Sequence, residues 1–450
     1  MYSDMYIVLH PDTAQRIGIY GLEKLFLQFG MQNLEVLIHF NSSMNPTTII
    51  LSKKAFHTLS IPTYLEYEVI LNKNTLLIGP FIGILDSYTE EELVEYREMS
   101  PYFTEQYKTI KGAIISFAFK NIDEKEKKIK GYLYNPNEQK WIPGIYPYPA
   151  SVFKLATFGQ RSLLFLQNEF GKSFFNSQLF NKWEMYNWLI NDSGLSSHLP
   201  PTILYTKPED IFNFLEEHLQ LYVKPIYGYK GRGVIKITKN RNLISVQYKQ
   251  DDNNITVDFN VADEAYKFFD NFLENGSYII QKMLDITFEN NQVVDFRLIL
   301  MKDQYGEWRN LGLYGRIGSP QNIVSNRSSG GKVEKDIFVL KRIYNFSREE
   351  ALLYRRQISN IAIKAAQEID KLGFSMGRYG IDLALDKNKN IWLIEMNHRD
   401  PNDWIASYTG DRELIHEIRF HNMFYAKNLA GFPKHKQHIN IKILCCDSSD

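Results

Sequence analysis

The chain is predicted to be an α/β (α+β) protein of about three globular units, and three observations carry that expectation. At 450 residues and roughly 150 residues per domain, the length predicts about three cores. Residues 1–85 are short apolar runs separated by turn residues, the pattern of a small β-barrel or sandwich. Beyond Pro147 and Pro149 the pattern changes to alternating helices and strands. A hydrophobic fraction of 44% excludes a disordered chain.

Charge and cysteine usage narrow the partners. The 52 Lys plus Arg balance the 52 Asp plus Glu, so the chain-wide basic field that nonspecific binding to nucleic acid or anionic membrane requires is missing. Neither partner is expected. The two cysteines, Cys445 and Cys446, are adjacent and cannot build a disulfide framework or a four-ligand zinc site. No Lys or Arg precedes the first apolar stretch, and no window approaches the ~18 apolar residues of a membrane span, so a soluble, cytoplasmic protein is expected. The 28 Tyr and 29 Phe are scattered and are assigned to core packing rather than base stacking.

In chain order, Tyr6 to Leu9, Leu34 to Phe40, Thr48 to Leu51, Tyr67 to Leu71 and Thr75 to Ile78 are strand candidates of the first unit. Residues 86–175 form a second, α/β unit, with a helical stretch from Glu90 to Tyr107 and strands at Ala113 to Phe119 and Gly131 to Asn135. The charge run Asp123 to Lys130 is a solvated turn. Residues 176–435 are the third unit. Its clearest helix opens with a capping box, Ser347 and Glu350, and carries Ile358, Ile361, Ala362, Ala365, Ile369 and Leu372 at helical spacing before Gly373 stops it. A last strand candidate, Ile439 to Leu444, falls in a segment, 436–450, expected to be a loosely held tail.

Chemistry concentrates in the third unit. Two alternating runs, Gly380 to Asp386 and Ile391 to Asn397, flank four turn-forming residues and predict a β-hairpin. If Asp386 faces Ile391, opposed residue numbers keep a constant sum, and Asp382 lies across from Glu395 with Asn397 on the same face. Opposed carboxylates with Cβ atoms ~5 Å apart repel unless a positive charge sits between them. Two carboxylates and an amide oxygen are hard ligands suited to Mg²⁺. A one-residue slip would instead send one acid to solvent.

Upstream, Tyr222-Val-Lys-Pro225 leads into Gly228-Tyr-Lys-Gly-Arg-Gly-Val234, a loop of three glycines with Lys230 and Arg232. Its N–H groups and cations could cover a triphosphate, although an ordinary hairpin turn explains most such loops. It is neither a Walker loop nor a dinucleotide fingerprint. Further on come the strand Ser277 to Leu284, Asp295-Phe-Arg297, Arg316, and Asn326-Arg-Ser-Ser-Gly-Gly331. Arginine forks suit phosphate or carboxylate oxygens, but taken singly each arginine reads as a surface ion pair.

The order of these pieces resembles the ATP-grasp superfamily over nearly the whole chain. It is most similar to the YheC/YheD family of endospore coat-associated ATP-grasp proteins, through Ile78-Gly-Pro-Phe-Ile-Gly-Ile-Leu85, Leu179-Phe-Asn-Lys-Trp183 and Lys224-Pro225. The resemblance implies an ATP-grasp fold behind a small β-rich domain and an α/β pre-ATP-grasp unit, with ATP and Mg²⁺ as cofactors. It implies that Asp382, Glu395 and Asn397 hold magnesium. Lys182 and Lys224 would contact phosphates, and the Gly228, Lys230, Gly231, Gly233 loop would close over β and γ. Gln281 would face the adenine amino group, where the superfamily often has Glu, with Lys282 and Leu284 pairing the adenine edge. Asp295 and Asn326 belong to segments resembling amino-acid ligases, and Arg297 and Arg316 would hold the γ-phosphate or an acyl phosphate. The stretch His398-Arg-Asp-Pro-Asn402 departs from the usual Arg-Pro-Gly ending.

The implied activity is ligation of a carboxylate to an amine, on a small molecule or peptide and in a spore-coat setting. A phosphotransferase on the same nucleotide site and a spore-structural nucleotide binder without turnover are the rival classes. His398 could serve an incoming amine as base, but a structural hydrogen bond is favoured.

Overall fold

The computed structural model describes residues 5–97, 103–228, 231–241, 243–250, 253–274, 276–288, 291–319, 331–398 and 403–446. Four sheets organise these residues. The first is a closed barrel whose staves run in the order Tyr6–Leu9, Gln32–Phe40, Lys24–Phe29, Thr75–Gly79, Glu66–Asn72, Ile439–Cys445 and Thr48–Leu51. Strict alternation builds it: Leu25, Leu27 and Phe29 on one strand, and Leu34, Val36 and Ile38 on its neighbour, point inward while the residues between them face out.

The described part of the last segment, residues 436–446, is not a separate tail. Its strand Ile439–Cys445 pairs parallel with Thr48–Leu51 and antiparallel with Glu66–Asn72, burying Ile439, Ile441 and Ile443 in the barrel core. Local alternation reveals the strand; a partner almost four hundred residues away leaves no local signal. A buried charge cluster marks the seam. Lys427 Nζ donates to Glu68 Oε1 at 2.9 Å and to the Ile110 carbonyl at 3.0 Å. His438 Nδ1 lies 2.9 Å from Glu68 Oε2.

The second sheet has the order Lys140–Pro147, Lys128–Asn135, Ala113–Ala118, Phe81–Ser87, Ser151–Lys154 and Phe174–Phe175. Its first strand in chain order, Phe81–Ser87, begins inside the segment assigned to the barrel, whose local strands end at Gly79. The helical stretch from Glu90 resolves into Glu90–Arg97 and a short helix, Tyr107–Ile110.

The third and fourth sheets are antiparallel throughout and position the site. The third runs Thr202–Leu204, Tyr278–Lys282, Gln220–Pro225, Ile235–Asn240, Leu243–Gln250, Asn253–Phe259. Helices Pro208–His218 and Ala262–Leu273 pack on it through Ile211, Leu215, Phe269 and Leu273. The fourth runs Lys332–Lys335, Trp308–Ile317, Val294–Lys302, Arg378–Leu385, Ile391–Asn397. On one face the helix Arg348–Asp370 seats Ile358, Ala362, Ala365 and Ile369 against Phe296, Leu298 and Ile381. That helix opens with the expected box: Ser347 N donates to Glu350 Oε2 at 2.8 Å, and Glu350 N donates to Ser347 Oγ at 3.1 Å. The other face meets Arg412–Leu429 through Ile299, Met301 and Tyr314. Because Val294–Lys302 is buried along its length, period-two alternation forces Asp295 and Arg297 inside, on the face opposite Phe296 and Leu298.

Candidate active site

The hairpin Arg378–Leu385 to Ile391–Asn397 pairs Asp382 with Glu395, Ile381 with Met396 and Gly380 with Asn397. The anchor assumed from sequence is displaced: Leu385, not Asp386, faces Ile391. A bulge between Asp382 and Leu383 leaves Ile394 unopposed and restores the pairing that brings the two acids together. Asp386 is drawn into the turn instead, where its carboxylate accepts from Asn390 N at 2.8 Å and Trp392 Nε1 at 2.9 Å.

Basic side chains supply the positive charge beside these acids. Arg297 Nε donates to Asp382 Oδ1 at 2.5 Å and its Nη2 to Oδ2 at 3.2 Å. Arg316 grips Asp295 through two bonds, of 2.7 and 2.6 Å, and reaches Asp382 Oδ2 at 3.2 Å. Asn397 Nδ2 donates to the same oxygen at 3.3 Å. The arginines are therefore not surface ion pairs; each is 7% exposed. Burial alone would raise the Asp382 carboxyl, yet the two guanidiniums hold it below its usual value. Burial also works against the charge on Arg316, and Asp295 and Asp382 more than offset it, raising its pKa.

These residues fit a hard cation. Asp382 Oδ1 receives a single donor within the cluster, leaving a lone pair. Asn397 turns its amide nitrogen to Asp382, which leaves its oxygen as a possible ligand. Among the described residues no group of three or more His, Cys, Asp and Glu gathers as a metal site, so any such ion relies on two carboxylates, an amide and the oxygens of a ligand.

Across the cleft, the third sheet presents Lys224 from the strand Gln220–Pro225. Its Nζ donates to Gln281 Oε1 at 2.6 Å, and Gln281 Nε2 donates to Thr202 Oγ1 at 3.0 Å. Gln281 is thus engaged at both ends of its amide. Desolvation pushes the Lys224 ammonium down to about 8, with Lys182 adding to the fall and Glu395 opposing it. In the loop that follows, Gly231 and Gly233 adopt φ of 72° and 71°, a region that favours glycine. Gly228 is not in that region; its carbonyl accepts from Lys182 Nζ at 2.9 Å. Lys282 closes the strand Tyr278–Lys282, and Leu284 is buried just beyond it. Lys230 and Asn326 lie outside the described residues, as do the four residues that follow His398.

Lys182 joins the two sheets. Besides Gly228 it approaches Glu395 Oε1 at 3.1 Å. It opens the helix Lys182–Leu189, fixed by a capping box in which Asn181 Oδ1 accepts from Glu184 N at 2.9 Å and Glu184 Oε2 accepts from Asn181 N at 2.8 Å. His398, stacked on Phe180 at 4.1 Å between ring centroids, accepts from Phe180 N through Nε2 at 3.3 Å. That bond is structural and ties the end of the acidic strand to the approach of the Lys182 helix. From the sequence, Phe180 figured only within Leu179 to Trp183, and no role was given to it, to Thr202 or to this cap. Asn181 three residues before Glu184 was a readable signal for the last of these.

Two sheets facing across a cleft, one carrying a lysine and a glycine loop and the other apposed acids and arginines, form an ATP-grasp fold. The family model described as YheC/D like ATP-grasp matches residues 171–429, more than half of the chain, which therefore belongs to that family. The chain is 25% identical over 403 residues to the endospore coat-associated protein YheD of Bacillus subtilis (strain 168), covering 86% of each. It is 21% identical over 281 residues to YheC of the same strain, covering 60% of this chain and 76% of that one. Among solved structures it is similar to the D-alanine-D-alanine ligase from Coxiella burnetii, at a TM-score of 0.43 and 11% identity, covering 78% of this chain and 96% of that one. Among the described residues no helix is long and apolar enough to cross a membrane.

Proposed function

We propose that the chain is an ATP-dependent carboxylate–amine ligase. The observation that supports this most strongly is the convergence on Lys182, whose ammonium bridges Gly228 on the glycine loop and Glu395 on the acidic strand. Cations at the mouth of a cleft, with acids able to seat a metal below them, suit a nucleotide whose terminal phosphates point toward the fourth sheet. In this assignment Lys182 and Lys224 bind phosphates. Gly228, Gly231 and Gly233 lie over them, and Gln281, Lys282 and Leu284 border the base. Asp382, Glu395 and Asn397 would hold Mg²⁺, which when bound neutralises charge on the terminal phosphates.

In the reaction, a substrate carboxylate oxygen attacks the γ-phosphorus, the bond to the β–γ bridging oxygen breaks, and ADP leaves. An amine then attacks the carbonyl carbon of the acyl phosphate; phosphate departs and the nitrogen gives up a proton. Arg297 and Arg316 offset charge on the moving phosphoryl group, and Asp295 holds Arg316 in place through its paired bonds. No side-chain nucleophile is needed. The relatives' names add an endospore coat association, so a coat polypeptide is one acceptor class, beside small molecules.

The test is ADP release measured against a panel of carboxylates with hydroxylamine present. A ligase forms ADP in dependence on the acid and yields a hydroxamate. Carboxylate-independent turnover, or a phosphorylated product that hydroxylamine does not trap, would overturn the proposal.

A further inference from the structure

Among the described residues, the strand Trp308–Ile317 of the fourth sheet is covered on the side away from Val294–Lys302 only from Tyr314 to Ile317, by Lys332–Lys335. Among the described residues no strand continues beside Arg309 to Leu313, and a groove of about 560 Å³ opens along Leu311 to Tyr314. An unpaired edge presents backbone donors and acceptors to any extended chain that reaches it. One wall is the start of the helix Asp336–Ile343, with Phe338 at its lip, 65% exposed. The opposite wall is the first turns of Arg412–Leu429, set close because Gly312 has no side chain: a Cβ there would meet Leu414 Cδ2 at 2.7 Å.

The groove is negative. Its two lining cations are already matched, Arg355 with Asp336 at 3.1 Å and Lys335 with Asp411 at 3.5 Å. Glu413 and Glu417, one helical turn apart, also line it and have no ion-pair partner among the described residues. Burial pushes the Tyr314 phenol up, Asp411 and Asp336 push it further, and Arg355 opposes them.

We propose that this edge docks an extended, lysine- or arginine-rich segment of a partner protein by strand addition. The segment's backbone pairs with Leu311 to Leu313, alternate basic side chains meet Glu413 and Glu417, and an apolar side chain covers Phe338. A second copy of this chain is a poor occupant, because two-fold edge pairing would bring the same acids together. Lys332–Lys335 already pairs with the strand from Tyr314 onward, so the segment ends short of Arg316, and its docking does not depend on the ligase reading.

The probe is a fluorescein-labelled eight-residue peptide of alternating lysine and valine, titrated with the full chain and followed by anisotropy, with a glutamate–valine peptide as its counterpart. The lysine peptide binds and the glutamate peptide does not. The double variant Glu413→Lys, Glu417→Lys weakens binding at least tenfold while its melting temperature and Mg-ATP affinity stay at wild-type values. Amides of residues 309–313 gain hydrogen-exchange protection when the lysine peptide is added. Equal binding of both peptides, an unaffected double variant, no protection at 309–313, or a concentration-dependent dimer closing this edge would each overturn the proposal. Failure of the wild-type chain to bind Mg-ATP in the same preparations would sink the nucleotide assignment and leave the docking result standing.

Discussion

Two buried charge clusters in this chain look alike in composition and differ in what surrounds them. At the barrel seam, Lys427 distributes its donors to Glu68 and the carbonyls of Thr109 and Ile110, with His438 against the same carboxylate. In the cleft, two carboxylates, Asp295 and Asp382, are paired with two guanidiniums, Arg316 and Arg297. The seam cluster closes on itself between elements that are packed together. The cleft cluster faces a second sheet that carries Lys224, and the helix Lys182–Leu189 adds Lys182 beside Glu395. Burial of charge is common to a strut and a site; an excess of unneutralised capacity at a cleft separates them.

The largest expected effect breaks the strut. Lys427→Met leaves Glu68 buried without its main counter-charge and should cost roughly 3–5 kcal/mol in chemical denaturation, with Mg-ATP affinity unchanged. Its pH dependence has a defined sign. Burial would raise Glu68, but its bonds to His438 and Lys427 hold it below its usual value. The stability it contributes is therefore present above the unfolded carboxyl pKa and is lost as pH falls through the depressed folded value.

The complementary change is Glu395→Gln in the cleft. Turnover should drop at least about a hundredfold, since loss of even an outer-shell metal contact costs 10–100-fold. Thermal unfolding should stay within a few degrees of wild type, because Glu395 is only partly buried and its removal relieves repulsion from Asp382. A smaller effect is expected from Lys224→Ala, about tenfold in ATP affinity by calorimetry, the scale of one charge-assisted bond. The smallest is a pH effect at the same residue. With the free-state ammonium near 8, a bound phosphate favours the charged form, so affinity holds below that pH and declines several-fold toward pH 9. Lys224→Arg should flatten the profile.

The cleft was partly legible in the sequence for a physical reason: alternation places Glu395 and Asn397 on one face of their strand, and the hairpin register sets Asp382 opposite Glu395. The assumed anchor failed because Asp386 gains more from bonding Asn390 and Trp392 within the turn than from extending the strand. The bulge compensates for the resulting one-residue shift, and pattern reading registers neither step. Burial of Arg297 and Arg316 was not legible, since an arginine flanked by apolar residues reads the same whether its face meets solvent or a second sheet. Nor was the pairing of the barrel's last stave, whose strand was legible but whose partners come from the opposite end of the chain.

The central claim is that the carboxylates of Asp382 and Glu395 seat a divalent cation under nucleotide phosphates. Crystals grown with an unhydrolysable ATP analogue and Mn²⁺, with data collected at the manganese edge, test it directly. An anomalous peak within coordination distance of both carboxylates, with the analogue's phosphates reaching Lys182 and Lys224, is the predicted result. A peak elsewhere, or a nucleotide bound outside the cleft with Asp382 still held only by its arginines, would contradict it.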